Sequence, residues 1–209
     1  MMTPELYVGE DILAARCADS SMISDKAALF RQSGDWEEVV SGMADLTVKY
    51  DPLKLSSAQA QQIFRKLWAM PVDGDKPNSA PVMLAADFSA SAMPDGDAIA
   101  KALGVAHNQI GQWLSARTYR VTMMGFQPGF AYLEDVNGAG LPILPRLDRP
   151  RQSVPAGSIG FLGQRACIYA LDGPGGWPIV GRVHEPLFRC DAVNPFLLSP
   201  GESLRFSPL

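Results

Sequence analysis

Four short segments in the second half of the chain carry the residue types from which a binding pocket is built. Gly125-Phe-Gln-Pro-Gly-Phe-Ala-Tyr132 sets two glycines and a proline among three aromatics, Phe126, Phe130 and Tyr132. A loop stiffened by proline and bent by glycine can hold aromatic faces towards a small molecule. The same spacing also suits aromatics that simply plug a barrel corner. Pro145-Arg-Leu-Asp-Arg-Pro-Arg151 carries three arginines, Arg146, Arg149 and Arg151, on a proline-stiffened extended stretch. Guanidinium forks bind carboxylates and phosphates through paired N–H donors. A solvated loop, with Asp148 neutralising one cation, is the alternative. Val154-Pro-Ala-Gly-Ser158 and Gly173-Pro-Gly-Gly-Trp177 bring Gly157, Ser158, Gly175 and Gly176, whose backbone N–H groups suit negative charge on a ligand. Trp177 extends the aromatic set, and Arg182 adds a cation near a strand end.

These segments can bind, but they hold no evident nucleophile or general base. The serines have no neighbouring His or Asp that would mark a Ser-His-Asp triad. The glycine-rich run at 173–177 matches neither GxxxxGK[ST] nor GxGxxG. Cys17, Cys167 and Cys190 are far apart and lack metal spacing, so they read as reduced thiols. With His107 and His184 as the two histidines, no metal site is expected.

The elements that must position these segments differ between the two halves. The chain has 209 residues and a net charge of -4, with 47% hydrophobic and 19% charged residues. That composition fits a globular protein and argues against nucleic-acid binding through a basic surface. Residues 1–101 carry nine Lys/Arg against fifteen Asp/Glu, whereas residues 102–209 carry nine against seven, all nine being arginine. From Gly125 onward there are twelve glycines and eleven prolines. A helix-friendly acidic half followed by a turn-rich half implies two domains, 1–75 and 76–209.

In the first half, Leu46, Val48 and Tyr50 alternate as in a half-buried strand. Ser56 or Ser57 caps a helix with Ala60, Ile63, Phe64, Leu67 and Trp68 on one face, ended by Pro71. A second helix follows Ser24 and stops at Gly34, and Tyr7 to Cys17 holds a strand pair turning at Gly9-Glu10-Asp11. Met70 to Ser79 reads as a linker. Beyond it, Val82–Phe88 and Tyr119–Met124 read as strands. Asp95 or Asp97 caps a short helix ending at Gly104, and Ala106 to Ala116 forms another. Short runs at 158–162, 166–171, 178–183 and 203–207 complete a small β-barrel or sandwich. No apolar run approaches the roughly 18 residues of a membrane span. The first ten residues lack a signal-peptide pattern, so a cytoplasmic location is expected.

GFQPGFAYL, PRLDRPRQSVPAGS, IYALDGPGGWPIVGRV and SPGESLRF, in this order, resemble allophanate hydrolase subunit 1, also called the B subunit of 5-oxoprolinase. The family corresponds to the carboxyltransferase domain, subdomains C and D, and includes a sporulation-kinase inhibitor. Gly9-Glu-Asp11 and ADLTVKYDP match as well, so the resemblance covers nearly the whole chain. It implies an α+β protein: a small N-terminal α/β sandwich followed by a C-terminal cyclophilin-like β-barrel. It implies a subunit of a hetero-oligomeric hydrolase of a small amide or lactam, such as 5-oxoproline or allophanate, inactive alone. Its partners would be a homologous second subunit and, in the 5-oxoprolinase system, a third. ATP would be used by the assembled complex, with no cofactor held by this chain. The residues themselves suggest a cleft lined by Phe126, Phe130, Tyr132 and Trp177, with Tyr169 a further binding residue and with the arginines and glycines above offering charge and N–H donors. The inhibitor relative implies the alternative, a non-catalytic regulator that binds a sensor histidine kinase.

The chain departs from the family pattern at several places. AADFSAS, around Ala86–Ser91, stands where members commonly carry Cys-Tyr-Gly. Leu114 stands at a position commonly histidine, five residues before Tyr119. Glu134-Asp135 replaces a Gly-Gly, and Arg165-Ala166-Cys167 replaces Gln-Thr-Gly. A leucine transfers no proton, so any chemistry that histidine performs must come from elsewhere.

Overall fold

A computed structural model describes residues 4–17, 22–72, 80–136, 141 and 143–209. The chain separates into two compact units, Met1–Lys76 and Pro77–Leu209. Most of the expected linker, residues 73–79, lies outside the described residues.

The first unit runs β1 (Leu6–Val8), β2 (Ile12–Arg16), α1 (Ile23–Ser33), β3 (Glu38–Ser41), β4 (Asp45–Lys49) and α2 (Ser57–Ala69). The strands form an antiparallel sheet in the order β1-β2-β4-β3. Alternation along β2 and β4 sends Leu13, Ala15, Leu46 and Val48 to one buried face. They share a core with Ala27 and Phe30 of α1 and with Ala60, Phe64 and Trp68 of α2. The Phe30 and Phe64 rings meet edge to face at 4.8 Å. Helix α2 opens on a capping box: Gln59 N–H donates to Ser56 Oγ at 3.4 Å, and Ser56 N–H to Gln59 Oε1 at 2.9 Å. Helix α1 starts earlier than its serine implied. Met22 is its N-cap and Ser24 lies inside the first turn, while Gly34 ends it at φ 73°. Strand β3 is an addition to the expected elements, because four residues paired at one edge are too short for a periodic signal.

The second unit contains β5 (Val82–Asp87), α3 (Gly96–Leu103), a 3-10 turn (His107–Gln109), α4 (Ile110–Ser115), β6 (Tyr119–Met124) and β7 (Ala131–Asp135). It continues through β8 (Arg151–Val154), β9 (Ser158–Leu162), β10 (Arg165–Ile168), β11 (Gly173–Gly175), β12 (Ile179–Val183) and β13 (Ser203–Pro208). Seven strands close into a barrel in the order β10-β7-β6-β13-β5-β12-β9. The last strand, β13, pairs parallel to the first, β5. Side chains such as Leu84, Val121, Leu133, Ile159 and Phe161 are buried in the barrel core, so the interior is packed. β8 and β11 form a separate two-stranded ribbon. The molecule is thus α+β, with a sheet-and-helix unit followed by a barrel. Among the described residues no helix is long and apolar enough to cross a membrane.

Candidate functional site

The turn between β6 and β7 is closed by short backbone bonds. Gln127 N–H donates to Gly125 O at 2.9 Å, and Phe130 N–H to Gln127 O at 3.0 Å. The geometry forces Phe126 to φ 71°, the one positive φ on a non-glycine among the described residues. A bulky side chain in that region costs about 1–3 kcal/mol, and here it holds a ring that is 62% exposed. Gly129 has φ +80°, and a Cβ there would meet Phe188 Cβ at 2.8 Å. The loop is therefore fixed at both glycine and phenylalanine.

From Phe126 the rings form a chain. Phe126 lies 5.2 Å from Phe130, Phe130 lies 4.8 Å from Tyr132 and 5.0 Å from Tyr169, and Tyr132 lies 5.9 Å from Trp177. They wall a cavity of about 260 Å³, completed by Arg146, Gly175 and Gly176. The two sequence alternatives for these aromatics are both realised. Phe130, only 2% exposed, packs with Val154, Cys167 and Ile179, while Phe126 stands in solvent. Gly175 has to be glycine, because a Cβ would run into the Tyr169 hydroxyl. Burial, foremost, pushes the Tyr169 phenol up to about 12, and burial also raises Tyr132. Both phenols hold their protons at neutral pH.

A second cavity, of about 350 Å³, gathers Arg151, Ser158 and Arg182 with Asp87 and Ser91. A third, of about 310 Å³, has Gly157 beside Arg182. Arg149 is exposed and lines none of the three. The single cleft expected from sequence is thus divided. Eight of the expected residues surround the aromatic cavity, whereas Arg151, Ser158 and Arg182 surround another. The ribbon contributes to each, since Arg151 is the ladder partner of Gly175. The backbone donors differ from expectation too. Gly157 N–H donates to Tyr169 O at 2.7 Å, and Ser158 N–H donates to Pro155 O at 3.2 Å. The fold itself uses both, so neither faces a ligand.

Asp95 and Asp87 join the site in roles that the sequence analysis did not give them. Asp95 was expected as a helix cap, but its side chain makes no cap hydrogen bond. It accepts instead from Arg151 Nη2 at 2.7 Å and from Ile179 N–H at 2.6 Å. Asp87 ends strand β5 and lines the second cavity. No local signal ties residue 95 to residues 56 and 84 positions away.

The model of the family described as carboxyltransferase domain, subdomain C and D, matches residues 8–198. The chain belongs to this family. Its relatives include the 5-oxoprolinase B subunit of Escherichia coli O157:H7, 33% identical over 175 residues, covering 82% of this chain and 77% of that one. The 5-oxoprolinase B subunit of Haemophilus influenzae is 34% identical over 178 residues, covering 82% and 79%. Among solved structures, TTHA0988 superposes with a TM-score of 0.76 at 27% identity over 95% of this chain. The present chain spans 39% of TTHA0988. Kluyveromyces lactis urea amidolyase gives a TM-score of 0.75 at 14% identity over 99% of this chain and 15% of its own, a likeness of fold.

In this carboxyltransferase-domain chain, Leu114 is fully buried in the barrel core on α4 and lines neither main cavity. Its carbonyl accepts the Tyr119 hydroxyl at 3.3 Å. Cys167 is fully buried, and burial raises its thiol well above the ordinary range. It is therefore no thiolate at neutral pH. Among the described residues no three His, Cys, Asp or Glu side chains gather to hold a metal ion.

Proposed function

We propose that this chain is a subunit, of the 5-oxoprolinase B or allophanate hydrolase subunit 1 type, in a complex that hydrolyses a small amide or lactam. The observation that carries the reading is the aromatic cavity and what its walls omit. The apolar face of a small lactam ring fits against Phe126, Phe130, Tyr132 and Trp177. Arg146 at the same cavity engages a carboxylate on that ring. Among the described residues the lining carries no carboxylate, histidine or thiol, and its phenols stay protonated. The pocket binds and orients, and the group that moves the proton comes from another chain. The named relatives support the same reading through their subunit designation. We assign the missing groups to a homologous carboxyltransferase-type subunit, with ATP used by the assembled complex, in the cytoplasm.

The test is to tag the chain, purify it from its host and identify what accompanies it. The expected result is a second carboxyltransferase-type subunit. Ring opening of 5-oxoproline or hydrolysis of allophanate then requires both chains. Enzymatic rates from the isolated chain, or recovery of a histidine kinase without a second subunit, would overturn the proposal.

A further inference from the structure

The cavity of about 350 Å³ describes its ligand through the charges it presents. Arg182 on β12 and Asp87 on β5 are ladder partners. Such partners lie about 5 Å apart at Cα, yet each charge is held by a different neighbour. Arg182 Nε donates to Ala156 O at 2.9 Å. Asp87 accepts from Ser89 N–H at 2.7 Å and from Ser89 Oγ at 3.1 Å. Opposite charges therefore line the same cavity side by side, with no ion pair between them among the described contacts. Arg151 adds a second guanidinium, anchored through Nη2 by Asp95, while its Nη1 is buried with no hydrogen-bond partner among the described residues.

Ser158 supplies an independent observation. It is 2% exposed and lines this cavity beside both arginines. The buried Arg151 Nη1, without a hydrogen-bond partner among the described residues, is unfavourable there unless a ligand completes it. A dianion would meet Asp87 and a simple cation would meet the arginines. A molecule with one charge of each sign satisfies both.

We propose that this cavity binds a small zwitterion of the α-amino acid class. Its carboxylate faces Arg182, Arg151 and the Ser158 hydroxyl, and its ammonium faces Asp87. Asp87 belongs to the AADFSAS stretch in which the chain leaves the family pattern, so the ammonium half of the site comes from that departure. The inference does not rest on the hydrolase reading, because binding is measured on this chain alone.

The experiment is calorimetric titration of the full chain with glycine and L-glutamate, beside acetate and glutarate, which lack the amino group. The amino acids are expected to bind at least about tenfold more tightly than the matched acids. Ser158→Ala weakens amino-acid binding by about tenfold, and Asp87→Asn brings amino acid and acid within about threefold of each other. Thermal melts confirm that both variants fold. No binding of any of the four compounds at about 10 mM overturns the proposal. So do equal affinities for acid and amino acid in the unaltered chain, or unaltered binding in folded variants. Inactivity of the reconstituted complex with amino-acid binding intact would count against the hydrolase reading alone.

Discussion

Asp95 and Arg151, 56 residues apart, are joined by a 2.7 Å ion pair that ties the start of helix α3 to strand β8. The other carboxylate oxygen takes the Ile179 N–H at 2.6 Å and so reaches β12 as well. One side chain thereby links three elements around the second cavity and fixes the direction of one of its arginines. Their side-chain exposures of 29% for Arg151 and 13% for Asp95 place the pair between surface and interior. Its strength is correspondingly below that of a fully buried pair.

Replacing Asp95 by alanine should destabilise the second unit by about 2 kcal/mol, since it strands a guanidinium and a backbone N–H together. Asp95→Asn keeps an acceptor for Ile179 N–H and should cost about half as much. Urea unfolding of the two variants checks the order. Equal losses would show that the charge contributes nothing.

Phe126 and Gly175 should respond in opposite directions. Phe126→Gly releases a backbone strain of about 1–3 kcal/mol, so the melting temperature should hold or rise. The exposed wall of the aromatic cavity is lost, and under the proposed function the hydrolytic activity of the complex should fall at least about tenfold. Gly175→Ala drives a methyl group into the Tyr169 hydroxyl and should destabilise the barrel by about 1–3 kcal/mol. Thermal melts together with turnover by the reconstituted complex separate the two effects.

Lys26 makes stability depend on pH. It is 2% exposed, and its Nζ donates to Trp68 O at 2.7 Å and Met70 O at 2.5 Å at the end of α2. Burial, the dominant cause, lowers its pKa from the ordinary 10.5. Between the folded and unfolded values the unfolded chain binds more protons, so this contribution to stability rises with pH towards 10.5. Lys26→Met removes that slope and leaves two carbonyls without their donor, a loss of about 2 kcal/mol. Urea unfolding across alkaline pH, comparing the two proteins, tests both statements. A parallel pH dependence in the variant would refute the assignment.

The three thiols should label in a fixed order. Cys190 is exposed, Cys17 is intermediate and Cys167 is buried. Burial also holds the Cys167 proton well above neutral pH. A thiol reagent at neutral pH should therefore modify Cys190 first and Cys167 only on unfolding. Mass spectrometry of the timed reaction reads the order. Early labelling of Cys167 would mean that the packing behind the aromatic cavity opens.

Features encoded within a few residues were legible before any fold was known. The alternation of Leu46 and Val48, the stripe from Ala60 to Trp68 behind the Ser56 cap, and Gly34 as a helix stop each carry their own local free energy. The family was legible for the same reason, because its motifs are contiguous words. Strands β8 and β11 were not, because a ribbon strand of three or four residues has no period of its own. Folding divided one expected cleft into two cavities. It took Asp95 from a helix cap to Arg151 and Ile179, set Asp87 beside Arg182, and turned the Gly157 and Ser158 N–H groups inward to backbone carbonyls. Apart from the local Ser158 turn, those partnerships join residues distant in the chain. The energy of a carboxylate or an N–H depends on which groups closure brings within about 3 Å of it, and spacing along the chain carries no record of that distance.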